Sequence, residues 1–266
     1  MFKRLCCLAG LTLCFVLGVT SFAAAGKVPE IRVLLKSNTN LAVITVAQGK
    51  YDVVNSETGM RLGKLREGDV CVFTKEGPNV RLTGFECRDD NAQKGTIWIE
   101  PSDKDDECLV SFNNVQYRGS IAVHNTEKGL IVVNSLPIEE YLYGVVGQEM
   151  GYGAPFEALK SQAVVSRTYA MKKLGSGLYY DLTNTSQAYK GYNAELVSGF
   201  EKVKEAVDDT EGEVVCYGDE LIEAVFHSNS GGYTESSENI WQAAVPYLRA
   251  VASPQDVYAL TYSYQD

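Results

Sequence analysis

From Ile31 to Val133 the apolar residues come in short β-branched runs. Segments 31–35, 41–46 and 51–54 are separated by turn-forming clusters at 37–40, 48–50 and 55–59, which predicts strands. Segments 70–73 and 80–82 flank Lys75-Glu-Gly-Pro78 as a hairpin would, and 121–123 and 130–133 do the same around 125–129. His124 then reads as a surface turn residue. After Pro137 the period changes. Ile138, Tyr141, Leu142, Val145 and Val146 follow the i, i+3, i+4, i+7, i+8 spacing of one helix face, so a helix is predicted over 138–150. Pro137 suits its first turn, Glu139 and Glu140 favour the same positive end, and Gly151 and Gly153 stop it. Pro155 opens a second helix, 156–174. Its small residues Ala158, Ser161, Ala163, Ser166 and Ala170 let another element approach closely. A third helix over 194–208 has Leu196, Phe200, Val203 and Val207 as its stripe, and 213–217 with 221–226 read as a strand pair. The fold class expected is α+β: a mixed β-sheet with a central helix pair, preceded by a β-rich N-terminal region.

Extending the apolar rhythm of the first helix by one turn lands on Glu149. A carboxylate where the pattern asks for a core residue is costly to ionise unless it is paired, which suits a general acid. The competing reading is a buried structural carboxylate with a satisfied partner. Lys160 and Arg167, seven apart, fall on one face of the second helix, either as a solvated face or structural ion pair, or as groups that hold Glu149 or a substrate. Two loops carry further candidates. Thr183-Asn-Thr-Ser-Gln-Ala-Tyr-Lys-Gly191 is polar and aromatic and contains Tyr189; His227-Ser-Asn-Ser-Gly-Gly-Tyr-Thr234 contains Ser228, Ser230 and Thr234. No P-loop, dinucleotide-binding glycine pattern or activated-nucleophile motif appears.

Lys3 and Arg4 precede a long apolar run that ends with small residues at 23 and 25, so 1–25 reads as a signal peptide cut after Ala25, with a retained anchor as the alternative. The rest of the protein then works outside the cytoplasm. The formal charge of -10 argues against a nucleic-acid or anionic-membrane binder. Of seven cysteines, Cys6, Cys7 and Cys14 lie in the leader. Cys71, Cys87, Cys108 and Cys216 could pair in three ways or remain free thiols, and they lack metal-ligand spacing. No metal or cofactor is assigned. A soft boundary near Arg118 separates a β-rich region, 26–117, from a mixed part, 118–266.

Several blocks of the mixed part resemble one family. They are Asn134-Ser-Leu-Pro-Ile-Glu-Glu-Tyr-Leu142, Gly144-Val-Val-Gly-Gln-Glu-Met150, Glu157-Ala-Leu-Lys-Ser-Gln-Ala-Val-Val-Ser-Arg-Thr-Tyr-Ala170 and Thr210-Glu-Gly-Glu-Val-Val215. Phe226-His-Ser-Asn-Ser-Gly-Gly-Tyr-Thr-Glu-Ser-Ser-Glu238, Pro246-Tyr-Leu-Arg249 and Ser253-Pro-Gln-Asp256 follow in the same order. The chain is in this respect similar to the stage II sporulation protein D and amidase-enhancer family. The resemblance implies a lytic transglycosylase that cuts the β-1,4 bond between N-acetylmuramic acid and N-acetylglucosamine in peptide-stripped glycan strands of peptidoglycan. With the leader, this places the protein in the cell envelope or the extracellular space, in the periplasm if the envelope is diderm. It implies Glu149, the Glu of the family's Glu-Met motif, as the essential acid. Lys160, Arg167, Tyr189, Ser228, Ser230 and Thr234 are the expected substrate-side residues. The motif usually continues with Pro, and Gly151 stands there instead, so the turn should differ. Family members normally run past the Ser-Pro-x-Asp block, so a C-terminally shortened member is expected. Two other readings stand beside the first: a non-catalytic wall-binding activator of an N-acetylmuramoyl-L-alanine amidase, and a muramidase pairing Glu149 with Glu235 or Glu238. Membrane contact is expected only if the leader is retained.

Overall fold

A computed structural model describes residues 18–21, 28–89, 91–103 and 107–256. The expected leader lies outside these apart from 18–21, as do 104–106 of the acidic loop. The described chain forms two compact units. The larger is built on Ser21–Val214 with Glu223–Phe226, and the smaller on Val215–Ile222 and the chain from His227, with 18–20.

The larger unit opens with strands β2 (Glu30–Thr39), β3 (Leu41–Gln48), β4 (Lys50–Asn55), β5 (Arg61–Arg66), β6 (Val70–Glu76) and β7 (Asn79–Thr83), which follow β1 (Gly18–Ser21). Then come β8 (Ile97–Pro101), β9 (Leu109–Phe112), β10 (Val115–Tyr117), β11 (Ser120–Thr126) and β12 (Gly129–Pro137). Helices α1 (Ile138–Tyr143), α2 (Val146–Met150) and α3 (Phe156–Lys173), strand β13 (Leu182–Thr183) and helix α4 (Phe200–Asp208) complete it. One sheet has the order β13-β2-β12-β11-β8-β4-β5 and the other β10-β9-β3-β6-β7. The first is mixed, because β13 runs parallel to β2 while its other neighbours pair antiparallel.

Alternation decides which face each strand buries. In β3, Ala42, Ile44 and Val46 point into the core while Leu41 and Val43 face solvent. Strand β12 is buried along nearly its whole length, as befits a strand with β2 and β11 as neighbours and a helix following it. Residues of both sheets and of α1 to α4 share one hydrophobic core. The fold class is α+β, with a β-rich region leading into interacting helices α3 and α4. Strands from before Arg118 (β2, β8, β4, β5) and after it (β11, β12) share one sheet, so that position falls inside a compact unit rather than between two.

Four local expectations change. The helix expected over 138–150 is broken into α1 and α2 at Gly144 and Val145. The helix expected from 194 begins at Phe200, because Gly199 takes the left-handed conformation (φ 92°) and leaves Leu196 67% exposed. Strand β14 (Glu213–Tyr217) pairs with the short β15 (Glu220–Leu221) over Cys216 and Tyr217 alone, and 222–226 is not strand. His124 sits within β11 opposite Ile131, not at the turn. Its Nδ1 bonds Thr96 Oγ1 at 2.8 Å, and burial, then the Arg32 charge, hold the imidazole down at about 4. Cys71, Cys87 and Cys108 are free thiols.

The smaller unit contains β1-β14-β15 in that order, the short helix α5 (Ser237–Trp241), a bridge between Tyr233 and Ala252, and a tilted Tyr217–Tyr247 ring contact. Among the described residues no helix is long and apolar enough to cross a membrane.

Candidate functional site

The break between α1 and α2 is where the 183–191 loop docks. Gly144 ends α1, and a Cβ there would stand 2.7 Å from the Tyr189 ring, so only glycine lets that ring approach. Lys190 N–H donates to the Gly144 carbonyl at 3.0 Å and ties the loop to the break. One turn on, Gly147 lies equally close to the Tyr152 ring (2.5 Å for a built Cβ). Tyr152 accepts a hydrogen bond from Gln148 Nε2 at 2.8 Å and donates to the Ala194 carbonyl at 2.8 Å. The short helix α2 is thereby fixed on both sides.

Glu149, near the end of α2, is half-buried. Its Oε1 accepts the Ala188 backbone N–H at 2.5 Å. Its Oε2 has no hydrogen-bond partner, and the carboxylate no ion pair, among the described residues. The apolar stripe behind it is real: Ile138, Tyr141, Leu142, Val145 and Val146 are all buried. Gly151 follows with φ 87°, a value that proline's ring cannot adopt, so the departure from the Glu-Met-Pro pattern does change the turn.

Behind Glu149 lies a buried polar wall. Tyr141 donates to Gln187 Oε1 at 2.8 Å, and Tyr189 donates to Asn134 Oδ1 at 2.6 Å. Asn134 Nδ2 in turn donates to the Arg118 and Ser120 carbonyls at 2.8 and 3.1 Å. Burial holds the Tyr189 and Tyr141 phenols far above their ordinary value, with the Glu149 charge a further cause at Tyr141. Tyr189 is 5% exposed, so its ring builds the wall and is not surface-lining.

The two candidate cations of α3, Arg167 and Lys160, are already engaged. Arg167 is 0% exposed and forms a two-pronged pair with Glu139 (2.8 and 2.7 Å). It also donates to the Glu213 and Val207 carbonyls at 3.1 and 3.2 Å. Lys160 pairs with Asp209 at 3.5 Å and lies over the Phe156 ring. In the smaller unit, Ser228 is exposed. Ser230 donates through both N–H and Oγ to Asp256 Oδ2, and Asn229 Nδ2 donates to the Asp256 carbonyl. Thr234 Oγ1 donates to the Arg249 carbonyl at 3.3 Å and accepts the Val251 N–H at 2.9 Å. The hydroxyl-rich loop and the Ser-Pro-Gln-Asp block thus hold each other. Glu238 pairs with Arg249, and Glu235 accepts from Asn239 and Ser236; these contacts hold both carboxyls below the usual range.

Sequence reasoning passed over Glu140. It lines a cavity of about 370 Å³ with Trp98, Glu100, Arg118, Ser135 and Pro137, a cavity that Glu149 does not line. Burial raises the Glu140 carboxyl, the Arg118 charge pulls it back down, and Glu195 adds to the rise. A raised carboxyl binds its proton more tightly in the folded state. Its penalty is absent below the ordinary carboxylate range and appears as pH rises through the folded value. Glu140→Gln should therefore raise the melting temperature at pH 7 and leave it unchanged near pH 4. A shift of equal size at both pH values would show that ionisation of Glu140 is not involved. Among the described residues no group of three or more His, Cys, Asp or Glu is placed to hold a metal ion.

A mixed sheet leading into an interacting helix pair defines the class, an α+β domain. The family described as stage II sporulation protein matches residues 126–217, which include Glu149, Arg167 and Tyr189. An uncharacterised protein of Brachyspira hyodysenteriae is 41% identical over 144 residues, 53% of this chain and 39% of that protein. Stage II sporulation protein D of Bacillus subtilis is 37% identical over 180 residues, 62% of this chain and 50% of that protein. The amidase enhancer of Bacillus subtilis is 39% identical over 127 residues, 47% of this chain and 17% of that protein. The chain spans half or less of the length of these relatives. It belongs, through this region, to the stage II sporulation protein D and amidase-enhancer family.

Proposed function

We propose that the protein works outside the cytoplasm on bacterial peptidoglycan, binding glycan strands with the surface around α2 and α3. Its match to the family over 126–217 is the observation that supports this. Likeness to a relative named amidase enhancer supports, most directly, a wall-binding role that stimulates an N-acetylmuramoyl-L-alanine amidase. Insoluble peptidoglycan incubated with such an amidase should release peptides several-fold faster when the purified chain is added, with no new sugar ends. Unchanged release together with no retention on the sacculi would end this reading.

Glu149 favours a second reading, lytic cleavage. A hydrolase commonly needs two carboxylates. In the lytic reaction the C6 hydroxyl of the muramic acid attacks its own C1, so one group can serve twice. Glu149 would protonate the leaving glycosidic oxygen as the C1–O bond breaks, then take the proton of the C6 hydroxyl as the 1,6-anhydro ring closes. A half-buried carboxylate with one oxygen anchored and the other without a partner among the described residues fits this cycle. The muramidase variant has less support, since Glu235 and Glu238 are occupied by their own partners.

A further inference from the structure

The residues Gln187, Ala188 and Tyr189 alternate in, half-out and in. Gln187 is 1% exposed and Tyr189 5%, while Ala188 between them is half-buried. Both flanking side chains are caught from elements far away in sequence: Gln187 by the Tyr141 hydroxyl of α1, Tyr189 by Asn134 of β12. The backbone is caught as well, by the bond from Lys190 N–H to the Gly144 carbonyl. The loop has little regular structure of its own, because β13 before it is two residues long. Three tertiary contacts therefore surround a single amide, that of Ala188, and that amide points at Glu149 Oε1.

An N–H group can only donate. The oxygen it faces must accept in either protonation state of the carboxyl, so a proton carried by Glu149 is directed to Oε2. That is the oxygen with no partner among the described residues. We propose that Gln187 and Tyr189 are positioning residues, a pair of buried clamps that hold the Ala188 amide on Glu149 Oε1 and so fix Oε2 as the atom that gives and retakes the proton. This rests on the lytic reading of Glu149 for its catalytic consequence, but not for the clamp itself. A role confined to holding the fold would stabilise the loop without governing the carboxyl.

Nuclear magnetic resonance of the full chain separates the two. In the wild type the Ala188 amide should resonate downfield, and Glu149→Gln, which replaces a charged acceptor with a neutral one, should move it upfield. Tyr189→Phe keeps the ring that packs on Gly144 and removes only the hydroxyl; Gln187→Met keeps the shape and removes the acceptor. Each should shift the Ala188 amide upfield and speed its hydrogen exchange by about tenfold or more, while the amides of α3 stay as they were. On peptide-free glycan, anhydro-product formation should fall about 10- to 100-fold in kcat with KM within about twofold, the signature of a misplaced catalytic group. A wild type that forms no anhydro ends would remove the lytic reading and leave the amide measurement to decide the clamp. An Ala188 amide unchanged in both variants would overturn the proposal, whatever happened to their melting temperatures.

Discussion

Arg167→Ala is expected to lose about 3–5 kcal/mol of folding stability, the usual result of removing one partner of a buried ion pair. The guanidinium is wholly buried, and Glu139, its partner, has only 16% of its side chain exposed. Deleting the arginine leaves that carboxylate without its counter-charge and takes the donor from two carbonyls, Val207 and Glu213. It also empties the volume between α1, α3 and the end of α4. Against a typical domain stability of about 5–15 kcal/mol, that is enough to populate unfolded chain at growth temperature. Urea unfolding followed by tryptophan fluorescence and by circular dichroism would measure it. The paired change Arg167→Met with Glu139→Leu should recover most of the loss, because well-packed apolar residues often replace a buried pair without penalty. If Arg167→Ala kept its midpoint and altered only glycan binding, the residue would belong to the substrate side and not to the core.

Glu149→Gln is expected to do the reverse, leaving the fold and removing the chemistry. Glutamine retains an oxygen to accept the Ala188 N–H, and Glu149 has no ion pair among the described residues to lose. Stability should change by less than about 1 kcal/mol, the scale of one exchanged hydrogen bond. An amide can neither give nor retake the proton, so anhydro-muramic products should fall by a factor of about 100 to 10,000, the span usually assigned to general acid–base catalysis. Mass spectrometry of digested, peptide-stripped glycan reads this directly. Stimulation of an amidase, if binding alone produces it, should survive the same substitution. Anhydro products that persist undiminished would remove Glu149 from the chemistry.

Some of this was legible in the residues themselves. The β-branched run 41–46 between turn clusters marked β3, but with nearly every residue apolar only the structure told that Ala42, Ile44 and Val46 face the core. The small residues of α3 announced a helix that others approach closely; Ala163, Ser166 and Ala170 are indeed buried. Glu149 was found by its place on an apolar stripe that the structure buries as far as Val146. Short strands such as β8 and β9 were not found, because their existence depends on registers such as Trp98 with Ala122 and Phe112 with Ile44 rather than on local pattern.

The apolar stripe runs unbroken from Ile138 to Val146, so periodicity predicts one helix. The break at Gly144 is made by a tyrosine ring and a backbone bond arriving from the 189–190 segment, which no local rule contains. Arg167 presents the same problem in charge. Hydropathy places a lone cation at the surface, and only the arrival of Glu139 across the helix pair makes a fully buried guanidinium tolerable. The sequence by itself determined the class of the fold and the position of the one unusual acid, because periodicity is a local property of the chain. Tertiary structure decided which oxygen of that acid is held, what holds it and which cations are already taken, because each of those depends on groups that meet only after the chain has folded.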